Sequence, residues 1–232
     1  MKSEIKNISK ILFLLIFIIQ IPVNIRLPKS VFTGSNYLSN ISSVKAETAE
    51  DFLLKASIKK DRGDLEGAVN DLNKALEINT AYKEAYLYRG TIFVSLREFE
   101  KAISDLNFVV KSNSKSSMQL LGLERRGVAK FFMNDYPGAA KDLIAAIEIN
   151  PDEFPASSYK ILAFAKDKTN DSEAAILYFN KAITFEPNSS FLYEQIGITK
   201  FKASKSGYCK DWEKASSLGS KNAEKFLNKF CS

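Results

Sequence analysis

Four alanines set the frame within which this chain can fold. Ala68, Ala102, Ala139 and Ala175 each head a segment of one form. Four residues on stand Leu72, Leu106, Leu143 and Phe179, and three further on come Ala75, Val109, Ala146 and Ala182. An aliphatic follows each of these, and each segment closes on Thr80, Ser114, Pro151 or Pro187. Spacings of three and four keep apolar positions on one face of a helix. Upstream of each segment runs a second periodic stretch with one small residue, Ala56, Gly90, Gly127 or Ala163, and a fifth such stretch carries Gly197. Turn chemistry followed by an acid separates the two stretches, as Gly63-Asp64, Arg97-Glu98, Asn134-Asp135 and Asn170-Asp171. An acid at a helix start can cap free amides and meets the positive end of the dipole. The chain therefore reads as all-α, one helix pair written several times. Ala68 and Ala102 are 34 residues apart; the next distances are 37 and 36, which places short insertions near Ser117–Gln119 and at Phe154-Pro155.

One helix pair cannot bury its apolar face alone, so such pairs stack and share an elongated core. Small residues at Ala68, Gly90 and Gly127 allow close backbone approach, and Tyr86, Leu106, Tyr136 and Phe179 fill the space beside them. The pattern resembles the tetratricopeptide repeat, a helix-turn-helix unit of 34 residues. The resemblance covers nearly all of the chain after Ala46 and implies a right-handed superhelical solenoid. It sets repeats at about 49–82, 83–116, 120–153 and 156–189, with a degenerate fifth and a capping helix over 190–232.

A charge pair keeps the same register. Arg89 and Arg126 precede the small residue, and Asp105 and Asp142 stand sixteen residues on. The first repeat has the weaker pair Lys55 and Asp71, and the fourth loses both partners together, with Leu162 and Tyr178. Loss of both at once points to a structural ion pair between the two helices of a repeat, since stranding one buried partner costs several kcal/mol.

In the family that this chain resembles, the first helix of each repeat lines a concave groove. Carried over, the groove positions include Leu53, Ser57, Leu87, Thr91, Ser95, Glu124, Arg125, Val128, Phe132, Lys160, Phe164, Glu194 and Ile198. The Lys/Asn/Arg clamp that chaperone-binding members use for a C-terminal carboxylate is absent, because Leu53, Ser57, Glu84 and Leu87 stand in its places. Phe132 and Phe164 suit either an interface anchor or packing between neighbouring first helices; helical spacing favours packing. Arg125 and Lys160 read as solvated or ligand-facing. The resemblance implies a protein or peptide partner and no cofactor.

Composition narrows the function further. The absence of histidine removes the commonest general base and metal ligand. No glycine-rich phosphate loop or serine nucleophile elbow occurs, so an enzyme is not expected and no metal site is assigned. The net charge of +6 belongs mostly to residues 1–46, which hold six basic residues and one acid. Beyond Ala46 stand 27 basic and 26 acidic residues, a balance that argues against nucleic acid. Basic residues ahead of the apolar run Ile11–Ile19 describe a signal peptide, with a small-residue cleavage pattern at Val44-Lys45-Ala46. Export to a periplasm, lumen or cell surface is expected. A retained membrane tether through Ile11–Ile19 is the alternative. Either reading suits a scaffold that assists assembly of an envelope or membrane complex, or recruits a partner to the bilayer.

After Gly197 the pattern continues through Tyr208, Trp212 and Ala215 to a last amphipathic stretch, Asn222 to Phe230. A solenoid needs such an end, with one face for the core and another for water. The ending resembles that of many bacterial repeat proteins, in which one cysteine precedes the last paired helix and another closes the chain. That resemblance implies a disulfide between Cys209 and Cys231, with two separate thiols as the alternative.

Overall fold

The computed structural model describes residues 46–111 and 116–231, so the expected leader, residues 1–45, lies outside the described residues. The chain forms eleven α-helices and one 3-10 turn there, with no strand among the described residues. The first repeat is α1 (Ala49–Asp61) and α2 (Leu65–Ile78), the second α3 (Lys83–Ser95) and α4 (Phe99–Val110). The third is α5 (Ser117–Phe132) and α6 (Tyr136–Ile149), and the fourth α7 (Ala156–Lys168) and α8 (Ser172–Phe185), reached through a 3-10 turn at Pro151–Glu153. Then come α9 (Ser190–Lys202), α10 (Tyr208–Ser217) and α11 (Lys221–Phe230). No helix among the described residues is long and apolar enough to cross a membrane.

The turn inside each repeat is the same piece of backbone. Gly63, Arg97, Asn134, Asn170 and Ser204 occupy one register, and all five have positive φ, between 56° and 82°. The left-handed residue turns the chain so that the next helix returns antiparallel. Asp64, Asp135 and Asp171 then accept from the backbone amides of Gly67, Gly138 and Ala174, each closing a helix start. Glu98 stands in the same place without a side-chain cap, its extra methylene putting the carboxylate out of register.

Within a repeat, the small residue of the first helix receives a large side chain from the second. A Cβ on Gly90 would lie 2.8 Å from Leu106 Cγ, and one on Gly127 would lie 2.8 Å from Leu143 Cγ. Leu72, Leu106, Leu143 and Phe179 are fully buried at this joint. The fifth pair makes the same joint with a larger knob: a Cβ on Gly197 would lie 2.4 Å from Trp212 Cδ1, and Trp212 is fully buried. Phe201, Tyr208, Phe226 and Phe230 pack around Trp212 to form the cap core. Cys209 and Cys231 are joined by a disulfide, which ties the start of α10 to the residue after α11.

Between repeats, the first helices pack directly on one another, α3 with α5 and α5 with α7. The second helices do not approach each other to that extent. Curvature follows, with the first helices on the inner side.

Ser204 has φ of 56° in an exposed turn with no side-chain hydrogen bond to keep it there. A non-glycine residue held left-handed costs roughly 1–2 kcal/mol, part of which glycine's larger unfolded-state entropy offsets. Ser204→Gly is therefore expected to stabilise the protein by about 0.5–1 kcal/mol, read as a higher urea midpoint at unchanged slope.

Candidate partner-binding groove

The groove is the face that α1, α3, α5, α7 and α9 present together, and its rigidity starts from polar contacts on the other side of those helices. Arg89 Nε and Nη2 donate to the two carboxylate oxygens of Asp105, both at 2.8 Å. Arg126 does the same to Asp142, both at 2.7 Å. The third guanidinium nitrogen reaches back a repeat: Arg89 Nη1 donates to Asn73 Oδ1 at 2.7 Å, and Arg126 Nη1 to Asn107 Oδ1 at 2.8 Å. One arginine thus bonds two second helices at once. Hydrogen bonding to Asp105 raises the Arg89 pKa above its ordinary value, so the clamp stays charged.

The first repeat departs from the expected pairing. Lys55 pairs with Glu47, and Asp71 takes Lys59 instead, at 2.7 Å. Lys59 stands one turn beyond Lys55, at the position that Lys130 holds in the third repeat, where it too reaches the aspartate (Lys130 Nζ to Asp142 Oδ2, 2.8 Å). A lysine is a point donor on a long stem, so either turn can serve; the planar fork of arginine fits only one. In the fourth repeat Leu162 is fully buried, and Tyr178 packs on the same core together with Ile144, which stands where Asn73 and Asn107 stood.

The structure revises most of the expected groove residues. Thr91 is buried, its hydroxyl donating to the Leu87 carbonyl at 2.7 Å. Glu124 and Arg125, expected at the surface, are 1% and 5% exposed. Three first helices in direct contact cover them. Arg125 Nε lies 3.0 Å from Glu124 Oε2, and Ser158 on the next first helix donates to Glu124 Oε1. Phe164 is buried against Phe179 and Phe191, which places it in the core between repeats. Glu194 is buried too, accepting from Ser220, the residue that caps α11. These five side chains shape the groove from beneath and offer no surface to a partner.

Ser95, Phe132 and Lys160 remain at the surface in whole or part. Phe132 is half-buried, stacked on Phe99 with ring centroids 5.2 Å apart and with the Arg97 guanidinium over its ring at 5.8 Å. Lys160 bonds Glu186 at 2.9 Å. At the C-terminal end, Asp167 of α7 takes Lys202 at 2.7 Å and Thr199 at 3.2 Å, both from α9. The asparagine partners were the residues that sequence reasoning missed. Their signal was present: Asn73 and Asn107 share a register, 34 residues apart, and each is followed by a repeat bearing the arginine.

With that geometry established, comparison with known proteins identifies the repeat. A family model described as tetratricopeptide repeat matches residues 52–82 and 156–189. The chain carries tetratricopeptide repeats. Over 105 residues it is 33% identical to the mitochondrial import receptor subunit TOM70 of Saccharomyces cerevisiae, and over 115 residues 27% identical to the TPR repeat-containing thioredoxin TDX of Arabidopsis thaliana. These matches take in 45% and 50% of this chain but span only 16% and 30% of those proteins. Among solved structures, a MamA protein superposes with a TM-score of 0.65 at 23% identity, over 80% of this chain and 97% of that one. YrrB, a TPR protein with an unusual peptide-binding site, superposes with a TM-score of 0.68 at 16% identity, over 78% and 92%. The two structural likenesses show the fold.

Asp142→Asn is expected to cost about 2–3 kcal/mol, more than Arg126→Met, because it strands two cations. A double-mutant cycle on Arg126 and Asp142 should give a coupling of roughly 1–3 kcal/mol; less than a few tenths would show that the clamp adds nothing to stability.

Glu194 gives a second test. Burial pushes its carboxyl above the ordinary glutamate range, against the opposing effect of hydrogen bonds from Ser220 and Asn222, and its Oε1 is buried without a hydrogen bond. An acid whose folded pKa lies above its unfolded one loses folding stability as pH rises through that interval. Glu194→Gln should therefore raise the melting temperature at pH 7 and leave it nearly unchanged near pH 4. An equal shift at both pH values would rule out the carboxylate as the cause.

Proposed function

We propose that this protein is a non-catalytic scaffold that holds a peptide or protein partner along the face of its first helices. The observation that carries the reading is the packing beneath that face. Arginine clamps outside and buried polar pairs inside lock successive first helices in register, which gives a preorganised surface and lowers the ordering cost of binding. Such a build suits recognition better than turnover, for which no histidine is present. The likeness to YrrB, a TPR protein with a peptide-binding site, and to the import receptor TOM70 supports a polypeptide ligand.

The compartment belongs to the same proposal. The protein acts after export, outside the cytoplasm, as an assembly factor for an envelope or membrane complex. The Cys209–Cys231 disulfide supports that placement, since such bonds persist in oxidising compartments. N-terminal sequencing of the mature protein should find Glu47; retained Met1 would favour the reading in which Ile11–Ile19 tethers the repeats to a bilayer.

The groove is tested by cross-linking capture with the full chain and two variants. Ser95→Trp with Lys160→Glu, at exposed or half-buried groove positions, should reduce the captured partner at least tenfold. Lys141→Glu, exposed on a second helix, should leave it unchanged. The opposite result would move the binding surface to the outer face.

A further inference from the structure

The near-neutral total beyond Ala46 conceals a division. Residues 47–198 carry nineteen basic and twenty-three acidic side chains, whereas residues 199–232 carry eight lysines against three acids. The four repeats are therefore net acidic, and the cap is strongly basic.

The structure shows what becomes of those lysines. Three are neutralised: Lys200 pairs with Asp211 within the last helix pair, and Lys202 and Lys205 pair with Asp167 and Glu173 of the fourth repeat. The others lie on the outside of α10 and α11. On α11, Lys221, Lys225 and Lys229 follow at intervals of four, and all are exposed. Residues at that interval form one stripe along a helix. Ala223, Phe226, Leu227 and Phe230 face the cap core on the opposite side. Exposed Lys210 and Lys214 form a second such pair on α10, with Lys214 over the Tyr193 ring at 5.9 Å. Lys210, Lys221 and Lys225 have no carboxylate partner among the described residues.

The chemistry of the patch narrows the partner. It contains no arginine, so the bidentate recognition of a particular carboxylate or phosphate is absent, and what remains is a set of hydrated point charges. The large apolar side chains exposed among the described residues are Ile58, Ile78, Met133, Leu177 and Phe185, none of them in the cap. A protein interface needs an apolar core and is depleted in lysine. A single-stranded nucleic acid needs exposed aromatic platforms, and the cap aromatics pack on one another. Two exposed acids, Glu213 and Glu224, stand among the five outer lysines, so the face stays net positive. A lysine-rich face without an apolar centre fits a broad anionic plane, and helix-borne lysine clusters are attracted to acidic lipid headgroups.

We propose that the cap formed by α10 and α11 is an electrostatic docking surface for an anionic lipid bilayer, lying flat on the headgroups without inserting. The net-acidic repeats are repelled from the same plane and point away from it. The cap then holds the end of the solenoid at the membrane and leaves the groove open to a partner.

Vesicle co-sedimentation of the full 232-residue chain tests this. The vesicles are phosphatidylcholine alone, or phosphatidylcholine and phosphatidylglycerol in equal parts. The intact protein should prefer the anionic vesicles, and raised salt should abolish the preference. Lys221→Gln with Lys225→Gln and Lys229→Gln should weaken anionic binding by about a hundredfold, at roughly fivefold per lysine. Lys74→Gln with Lys141→Gln and Lys181→Gln on the second helices should not. The basic N-terminal residues are common to all these proteins, so the difference between variants isolates the cap. All six lysines are exposed, and matching melting temperatures verify that the variants fold. Equal binding by the two triple variants would overturn the proposal. So would tighter binding to duplex DNA or polyglutamate than to the anionic vesicles.

Discussion

Everything in this solenoid depends on one close approach, that of a bulky side chain to a missing one. Leu106 sits over Gly90, Leu143 over Gly127 and Trp212 over Gly197, each at a separation that a methyl group would close. The contact fixes the distance between the two helices of a pair. It also commits the remaining apolar residues to one shared core, because a pair spaced this way exposes a face that only the next pair can cover. The left-handed turn residue serves the same contact by returning the chain at the right angle five times over. The larger knob at Trp212 shows how tolerant the rule is. The last pair has few neighbours, and a larger aromatic there replaces some of the burial that a following repeat would supply.

A polar layer runs beside this apolar one and does a different job. Burying a carboxylate is favourable only when its partners are complete. Asp142 has Arg126 and Lys130, Asp105 has Arg89, and both arginines turn their third guanidinium nitrogen to an asparagine of the preceding repeat. From the second repeat onward the three residue types are kept or discarded together, while in the first a lysine serves Asp71 alone. At the fourth repeat all three give way together to Leu162, Tyr178 and Ile144, which join the apolar core.

The sequence made the fold legible because its information is periodic. Helix pairs, turns and the alanine and glycine joints recur at fixed register, and each recurrence corroborates the others. The Arg89–Asp105 and Arg126–Asp142 pairs were legible for the same reason. The groove was less so. A position on the inner face of a first helix is open or covered according to how tightly its neighbours pack, and that depends on residues a full repeat away. Glu124 and Arg125 look like surface charge in one dimension, yet Ser158 and the adjoining helices enclose them. The Lys55 to Lys59 exchange at Asp71 was illegible for a local reason, since two lysines one turn apart are chemically equivalent until geometry chooses.

The loss of the clamp at the fourth repeat has a mechanical consequence. In a linear array each repeat leans only on its neighbours, so bending is decided joint by joint. The first two joints are closed by directional bonds from a planar guanidinium, which resist a change of angle. On the same side, the third is closed by Ile144, Leu162 and Tyr178, whose contacts survive a small rotation. The third joint is thus pinned on its inner side by the Ser158–Glu124 bond and free to pivot on its outer side, and the span of the groove is set there.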